Sequence, residues 1–355
     1  MSAHINYLEF ISINNLFQAW NEFRKGKSKR KDVQVFARSL EDNLFSLQQN
    51  LKDKIYSHGG YQSFYVQDPK QRHIHKAAVA DRVVHHLLYK FLYQIFDPAF
   101  IYDSYSCRLG RGTHKGVDRL VKLLRKASRN NTRVCWALKC DIRKFFHSMD
   151  HEILIDLLRK KIKDENILWL LAEVVNSFHS ELGKRKGIPL GNLTSQIFAN
   201  IYLNEFDQFI KHKLKTRYYL RYADDFLILS PDKPELLQYI DILKSFLLDN
   251  LDLELHPKKI IARKYTQGID FLGYVVFPYH CLPRTKIKRR ILKRLKMKTA
   301  ELKTGKISEE SFNQTMQSYL GFLLHANSYN LAQKLKNQLW FWFTEYPLIN
   351  SLKKQ

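Results

Sequence analysis

Disulfide chemistry has almost no material here. Only four cysteines occur in 355 residues, Cys107, Cys135, Cys140 and Cys281, and none shows the paired spacing of a zinc site. They read as buried free thiols of a reducing compartment. No apolar run approaches the length of a bilayer span. The longest aromatic cluster, Leu339-Trp340-Phe341-Trp342-Phe343, is far too short and precedes Pro347. The first residues, Met1-Ser2-Ala3-His4-Ile5-Asn6, lack a basic stretch followed by an apolar one, so cytoplasmic residence is expected. There is no internal repeat and no low-complexity tract. Acid is the scarce charge: 34 Asp and Glu stand against 59 Lys and Arg, a formal charge of +25. That excess exceeds what solubility asks for and suits a track for a polyanion.

What is present is globular. A hydrophobic fraction of 45% supplies a large core, and the length suggests two or three domains. Residues 14–60 read as helices with a basic break, Arg24 to Lys31. Gly59-Gly60 makes a turn, Tyr61 to Val66 alternates as a strand, and Asp68 to Arg72 reads as a loop. From Asp81 to Phe96 the apolar residues recur at helical period, with Asp81 placed to cap and Pro98 beyond the end. Val134 to Leu138 is a short apolar strand leading to Asp141, and Asp150 is placed to cap the next helix. Gly187 to Gly191 is a loop opening a helix through Ile197, Phe198, Ile201 and Phe206. A helix from Pro234 to about Leu248 follows, then alternation over Leu251–Leu255 and a strand over Phe271–Val276. This order suits an α+β fold in which helices cover one face of an antiparallel sheet. From residue 284 the composition changes. Arg284, Lys286, Lys288, Arg289, Arg290, Lys293 and Arg294 surround Ile287, Ile291 and Leu295, an amphipathic helix with a dense basic face opening a small helical domain.

The chemistry concentrates at Tyr222-Ala223-Asp224-Asp225, a tight hairpin tip between the apolar runs Tyr218–Leu220 and Phe226–Leu229. Adjacent carboxylates repel, and flanking hydrophobics pull them toward the core, so the position is best tolerated with a divalent cation bound. Asp141, at the end of another apolar strand, can complete the site. Asp141 and Asp224 are the expected bridging ligands, with Asp225 the third, for a pair of metals that perform nucleotidyl transfer. The triphosphate needs cations too. Lys70, Arg72 and Arg82 are candidates, Arg for its planar fork and Lys as a point charge. Lys258 and Lys259 are placed to bind or protonate the leaving pyrophosphate. Phe146, five residues after Asp141, is placed to sit under the sugar and exclude a 2′-hydroxyl. The 14 histidines show no ligand pattern, and most are expected at helix surfaces or in the fingers, without chemistry.

Four ordered motifs carry a family resemblance: Leu138 to Phe146, Gly187 to Gln196, Tyr222 to Asp225, and Phe271-Leu272-Gly273-Tyr274. Over about residues 14–300 the chain resembles a reverse transcriptase. The resemblance implies a right-hand fold: fingers and palm interleaved over 1–280, with palm core about 134–150 and 187–280, and a small helical thumb over 281–355. It implies RNA-directed DNA polymerase activity with Asp141, Asp224 and Asp225 catalytic and two Mg²⁺ per site, Mn²⁺ being an expected substitute. The backbone carbonyl of Ile142 joins the metal ligands, Arg72 contacts the triphosphate, and Phe146 is the sugar gate. Leu190, Gly191 and Gln196 flank the nucleotide, Phe271 to Tyr274 form the primer grip, and the basic helix from Arg284 contacts nucleic acid.

Within the family the chain is most similar to enzymes of diversity-generating retroelements. Retroviral and intron enzymes place Gln-Gly, three variable residues and Ser-Pro where this chain has Leu190-Gly191, Asn192-Leu193-Thr194 and Ser195-Gln196. Leu190 cannot donate the hydrogen bond that a Gln offers. Losing one such bond weakens discrimination by about 1 kcal/mol, roughly tenfold. The resemblance then implies error-prone copying of a template-repeat RNA, with errors at adenines, for mutagenic retrohoming into a target gene. It also implies a small basic oligomeric accessory protein as partner, beside template RNA, the primer or cDNA strand and deoxynucleoside triphosphates. The alternatives are an accurate intron-like or defence-associated reverse transcriptase and a non-catalytic RNA-binding scaffold. After the basic helix that opens the thumb only tens of residues remain, too few for a ribonuclease H domain of ordinary size, and none is expected.

Overall fold

The computed structural model describes residues 6–67, 71–183, 185–326, 328, 333–335 and 337. The architecture is mixed α+β, helical bundles flanking small antiparallel sheets. The helices are α1 (Tyr7–Phe10), α2 (Ile13–Arg24), α3 (Lys31–Arg38), α4 (Leu40–Lys52), α5 (Val79–Phe96), α6 (Thr113–Ala127), α7 (Phe145–Ser148), α8 (His151–Arg159), α9 (Glu165–Asn176), α10 (Leu193–Gln208), α11 (Lys233–Leu251), α12 (Thr285–Lys303) and α13 (Glu309–Leu324). The strands are β1 (Gln62–Gln67), β2 (Gln71–Lys76), β3 (Trp136–Asp141), β4 (Tyr218–Tyr222), β5 (Asp225–Ser230), β6 (Ile261–Lys264), β7 (Ile269–Phe271), β8 (Tyr274–Val276) and β9 (Cys281–Pro283). They form an antiparallel β1-β2 hairpin, a four-stranded sheet of order β4-β5-β3-β6, and a three-stranded antiparallel sheet β7-β8-β9. Among the described residues no helix is long and apolar enough to cross a membrane.

The chain divides into two compact units. One comprises Met1–Gly112, Lys139–Ile228 and Leu237–Ile261, and the other Thr113–Leu138, Leu229–Leu236 and Ala262–Gln355. In the first, α5 is the central helix. Its stripe of Val83, Val84, Leu87, Leu88, Phe91 and Leu92 is buried against α2 and α10. Its start differs from expectation. Ala78 is the N-cap, and Asp81 lies one turn inside, where it accepts from the Tyr56 hydroxyl at 2.8 Å and the Gly59 amide at 3.2 Å. Buried, the carboxylate finds donors from outside the helix instead of capping it. Asp150 does cap α8, accepting from the amides of Glu152 and Ile153.

Two further expectations change here. Arg72 is not in a loop but in β2, opposite Val66. The polar run Gln71 to Lys76 has no apolar alternation, and only its pairing with β1 makes it a strand. Leu251–Leu255 forms no strand, and Leu255 makes an isolated bridge to Ile142. The four cysteines are free, with Cys135 and Cys140 buried, but Cys107 is exposed rather than buried.

In the second unit, Phe271–Val276 is two strands, not one. The chain reverses at Leu272 (φ 48°) and Gly273 (φ 94°). A Cβ on Gly273 would lie 2.7 Å from Ile287 Cδ1, so the turn needs glycine both for its dihedral and for its space. The described residues of the expected thumb, 281–355, lie within this unit. Ile291 and Leu295 of α12 pack with Phe312, Met316, Leu320 and Leu323 of α13. Lys286, Arg289, Lys293 and Arg294 are exposed on the other face of α12, whereas Arg284, Lys288 and Arg290 are half-buried and Arg284 pairs with Asp270.

Candidate active site

Sheet order brings the acids together. β5 begins at Asp225 and neighbours β3, which ends at Asp141. The turn is tied to the end of β3, because the Ile142 amide donates to the Asp224 carbonyl at 3.1 Å. Beyond it, the Arg143 amide donates to the Glu254 carbonyl at 2.8 Å, and the His256 amide to the Asp141 carbonyl at 2.8 Å. Ala223 sits in the left-handed region at φ 53°, which makes the reversal tight enough to leave Asp224 and Asp225 at its rim.

Among the described residues, two lysines pair with these acids. Lys259 Nζ pairs with Asp141 Oδ1 at 2.6 Å, and Lys139 Nζ with Asp225 Oδ2 at 3.1 Å. Three carboxylates thus meet two ammonium groups. Burial pushes the Asp224 carboxyl up to about 6, and the charges of Asp141 and Asp225 add to that rise against Lys259. Asp225 is also raised, by burial first, with Lys139 opposing. Its Oδ1 is buried and has no hydrogen-bond partner. Hard oxygen donors, a surplus of negative charge and an orphaned carboxylate oxygen suit a divalent cation of the Mg²⁺ type. Even so, among the described residues no group of three or more His, Cys, Asp or Glu side chains is arranged as a metal centre.

Of the other expected residues, some converge and some do not. Phe146 is half-buried, edge-on to Phe145 at 5.3 Å, and its carbonyl accepts from the Ile188 amide at 2.8 Å, which joins it to the loop before α10. The Leu190 carbonyl accepts from the His75 amide of β2 at 2.8 Å. Gly191, at φ +117°, lies so close to the same strand that a Cβ would be 2.8 Å from Ile74 Cγ2. Gln196 is exposed on α10, and Lys258 is exposed with its amide on His256 Nδ1 at 3.3 Å. Arg72 is exposed on β2, and Lys70 lies outside the described residues.

Arg82 is engaged elsewhere. Its guanidinium pairs with Asp32, which also holds Lys76 Nζ at 2.8 Å, and stacks over Phe23 at 4.8 Å. In the expected primer grip, Phe271, Gly273 and Tyr274 are buried, and the Tyr274 hydroxyl donates to the Phe322 carbonyl at 2.9 Å. Sequence reasoning missed Lys139, although alternation along β3 puts it on the face of Asp141. It also missed Arg221, which lies fully buried behind the turn. Two histidines are buried rather than on a helix surface: His85, with Nδ1 2.7 Å from Thr194 Oγ1, and His151, with Nε2 2.7 Å from the Gly187 carbonyl oxygen.

Residues 67–276 match the model of the family described as reverse transcriptase (RNA-dependent DNA polymerase). Protein YkfC of Escherichia coli (strain K12) is 27% identical over 269 residues, covering 64% of this chain and 70% of that protein. The group II intron-encoded protein LtrA of Lactococcus lactis subsp. cremoris is 24% identical over 303 residues, 66% of this chain and 49% of that one. Among solved structures, a telomerase from Candida albicans with a fragment of telomeric RNA superposes with a TM-score of 0.49 at 13% identity, covering 82% of this chain and 60% of that one. The chain thus spans about half the length of the intron-encoded relative.

Proposed function

The chain belongs to the reverse transcriptase (RNA-dependent DNA polymerase) family, and from that premise we propose that it extends a primer 3′-hydroxyl with deoxynucleotides on an RNA template. The observation that carries this reading is the meeting of Asp141 with Asp224 and Asp225 at a site holding more negative charge than its two lysines balance. Asp141, Asp224, Asp225 and the Ile142 carbonyl would hold two Mg²⁺, which supply activation of the 3′-hydroxyl and stabilisation of the leaving pyrophosphate. Lys139 and Lys259 orient the carboxylates. Arg72 is the triphosphate contact, with Lys70 as a second cation. Phe146 excludes the 2′-hydroxyl, and the exposed basic face of α12 follows the backbone of the duplex.

Two subtypes differ in what they copy and how faithfully. The intron-encoded relative supports a group II intron-like enzyme. One observation favours the mutagenic reading instead, the presence of Leu190 and Gln196 where retroviral and intron enzymes carry Gln and Pro. On that reading the accessory protein and a template-repeat RNA are partners, and errors fall at template adenines.

Primer extension on an adenine-containing RNA, with every product sequenced, tests both levels. Product lost on Asp224→Asn with Asp225→Asn supports the polymerase. Errors concentrated at adenines support the mutagenic subtype, and faithful product the intron-like one. A well-folded protein that makes no product, even with the accessory protein and native RNA of its own locus added, refutes the polymerase.

A further inference from the structure

Directly behind the catalytic turn lies a buried polar cluster that takes no part in the chemistry described above. Arg221 of β4, Asp207 of α10 and Tyr219 of β4 are each 0% exposed. The guanidinium forks onto the carboxylate, Nε to Oδ1 at 2.8 Å and Nη2 to Oδ2 at 2.6 Å. The Tyr219 hydroxyl donates to Asp207 Oδ1 at 2.6 Å, and burial, together with the Asp207 charge, keeps that phenol protonated as a donor. The backbone of Arg221 is held as well. Its amide donates to the Asp103 carbonyl at 2.9 Å, and its carbonyl accepts from the Tyr105 amide at 2.9 Å.

The fork and the backbone bonds leave Nη1 aimed in one direction. It donates to the Ala223 carbonyl at 3.1 Å and to Asn200 Oδ1 at 3.3 Å. Ala223 is the residue between Tyr222 and Asp224, held at φ 53°. A non-glycine residue in that region persists only where its surroundings over-determine it. Fold stability alone does not account for the cluster, because a buried ion pair is often replaced by apolar side chains without loss.

We propose that Arg221 is a positioning residue for the catalytic aspartates: by holding the Ala223 carbonyl it fixes the left-handed turn and so the directions in which Asp224 and Asp225 leave it. A lysine would keep the charge opposite Asp207 but has no planar fork with a third nitrogen to present. The inference deepens the polymerase reading and rests on it for the kinetic readout only.

The test uses Arg221→Lys and an apolar triple variant, Asp207→Leu with Tyr219→Phe and Arg221→Met. Each is measured by thermal unfolding, steady-state primer extension and amide hydrogen exchange. The Ile142 amide is the structural probe, because its bond ends on the Asp224 carbonyl. The expected result is a wild-type melting temperature, kcat lower by about tenfold or more with deoxynucleotide KM nearly unchanged, and faster exchange at Ile142. Wild-type kcat and exchange in either folded variant would overturn the proposal. Unfolding of both variants would assign the cluster to folding and overturn it as well. Should the wild type itself fail to extend primers, the polymerase reading falls, and exchange at Ile142 still decides the role of Arg221.

Discussion

Asp224→Asn should remove catalysis and at the same time make the protein more stable, in a pH window that the site itself defines. In the native fold burial and the neighbouring charges of Asp141 and Asp225 push the Asp224 carboxyl from 3.8 to about 6. A raised carboxyl stabilises the fold in its protonated form, fully below about pH 4, and that contribution is lost as pH rises through about 6. Above that window the wild type carries an unfavourable charge that an amide lacks. A rise of about two units corresponds to about 3 kcal/mol at most. Desolvation of the amide takes back part of it, leaving a net gain of about 1–2 kcal/mol, or a few degrees in Tm. The assay is chemical unfolding of both proteins in EDTA at pH 8 and at pH 4, with primer extension as the parallel readout. The gap should open between the two pH values, and adding Mg²⁺ at pH 8 should narrow it by binding the wild type more tightly. A variant less stable at pH 8, or a gap equally large at pH 4, would refute the electrostatic account of the site.

Three other outcomes follow from named contacts. Gly191→Ala must pay for φ +117° and for a Cβ 2.8 Å from Ile74 Cγ2; a loss of about 2 kcal/mol is expected in urea unfolding, and Ile74→Ala should return the steric part but not the backbone part. Leu190→Gln should lower the misincorporation frequency by about tenfold if the missing amide is the source of looseness, and unchanged error counts in sequenced products would remove that explanation. Replacing the exposed Lys286, Arg289 and Lys293 of α12 by Gln should flatten the plot of log affinity for primer–template against log salt by about 0.7–0.9 per residue. An unaltered slope would take those residues off the nucleic-acid track.

Much of the candidate site was legible before any fold was known. Asp224 and Asp225 between two apolar runs, and Asp141 at the end of a third, are recognisable because burying like charges on strand ends is costly without a compensating cation. The helical periods of α5, α10 and α12 and the Asp150 cap are equally local. Each depends on residues within one or two turns of one another, and that information lies in consecutive positions.

Pairing across the chain is another matter. That Arg82 pairs with Asp32, that Lys259 pairs with Asp141, and that Asp81 serves Tyr56 rather than capping α5 depends on which of many charges the fold brings within 3 Å. The polar strand β2 exists through its register with β1, and the β7–β8 reversal through the space Ile287 leaves at Gly273. Arg221 is the clearest instance. In sequence it is one more cation among 59 Lys and Arg; in the fold it is fully buried, its charge answered by Asp207 and its spare nitrogen on the Ala223 carbonyl. The sequence by itself determined the chemistry to be expected, because like charges and apolar periods act over short spans. Only the tertiary structure decided which cation answers which acid, because desolvation and hydrogen-bond geometry are set by neighbours far away along the chain.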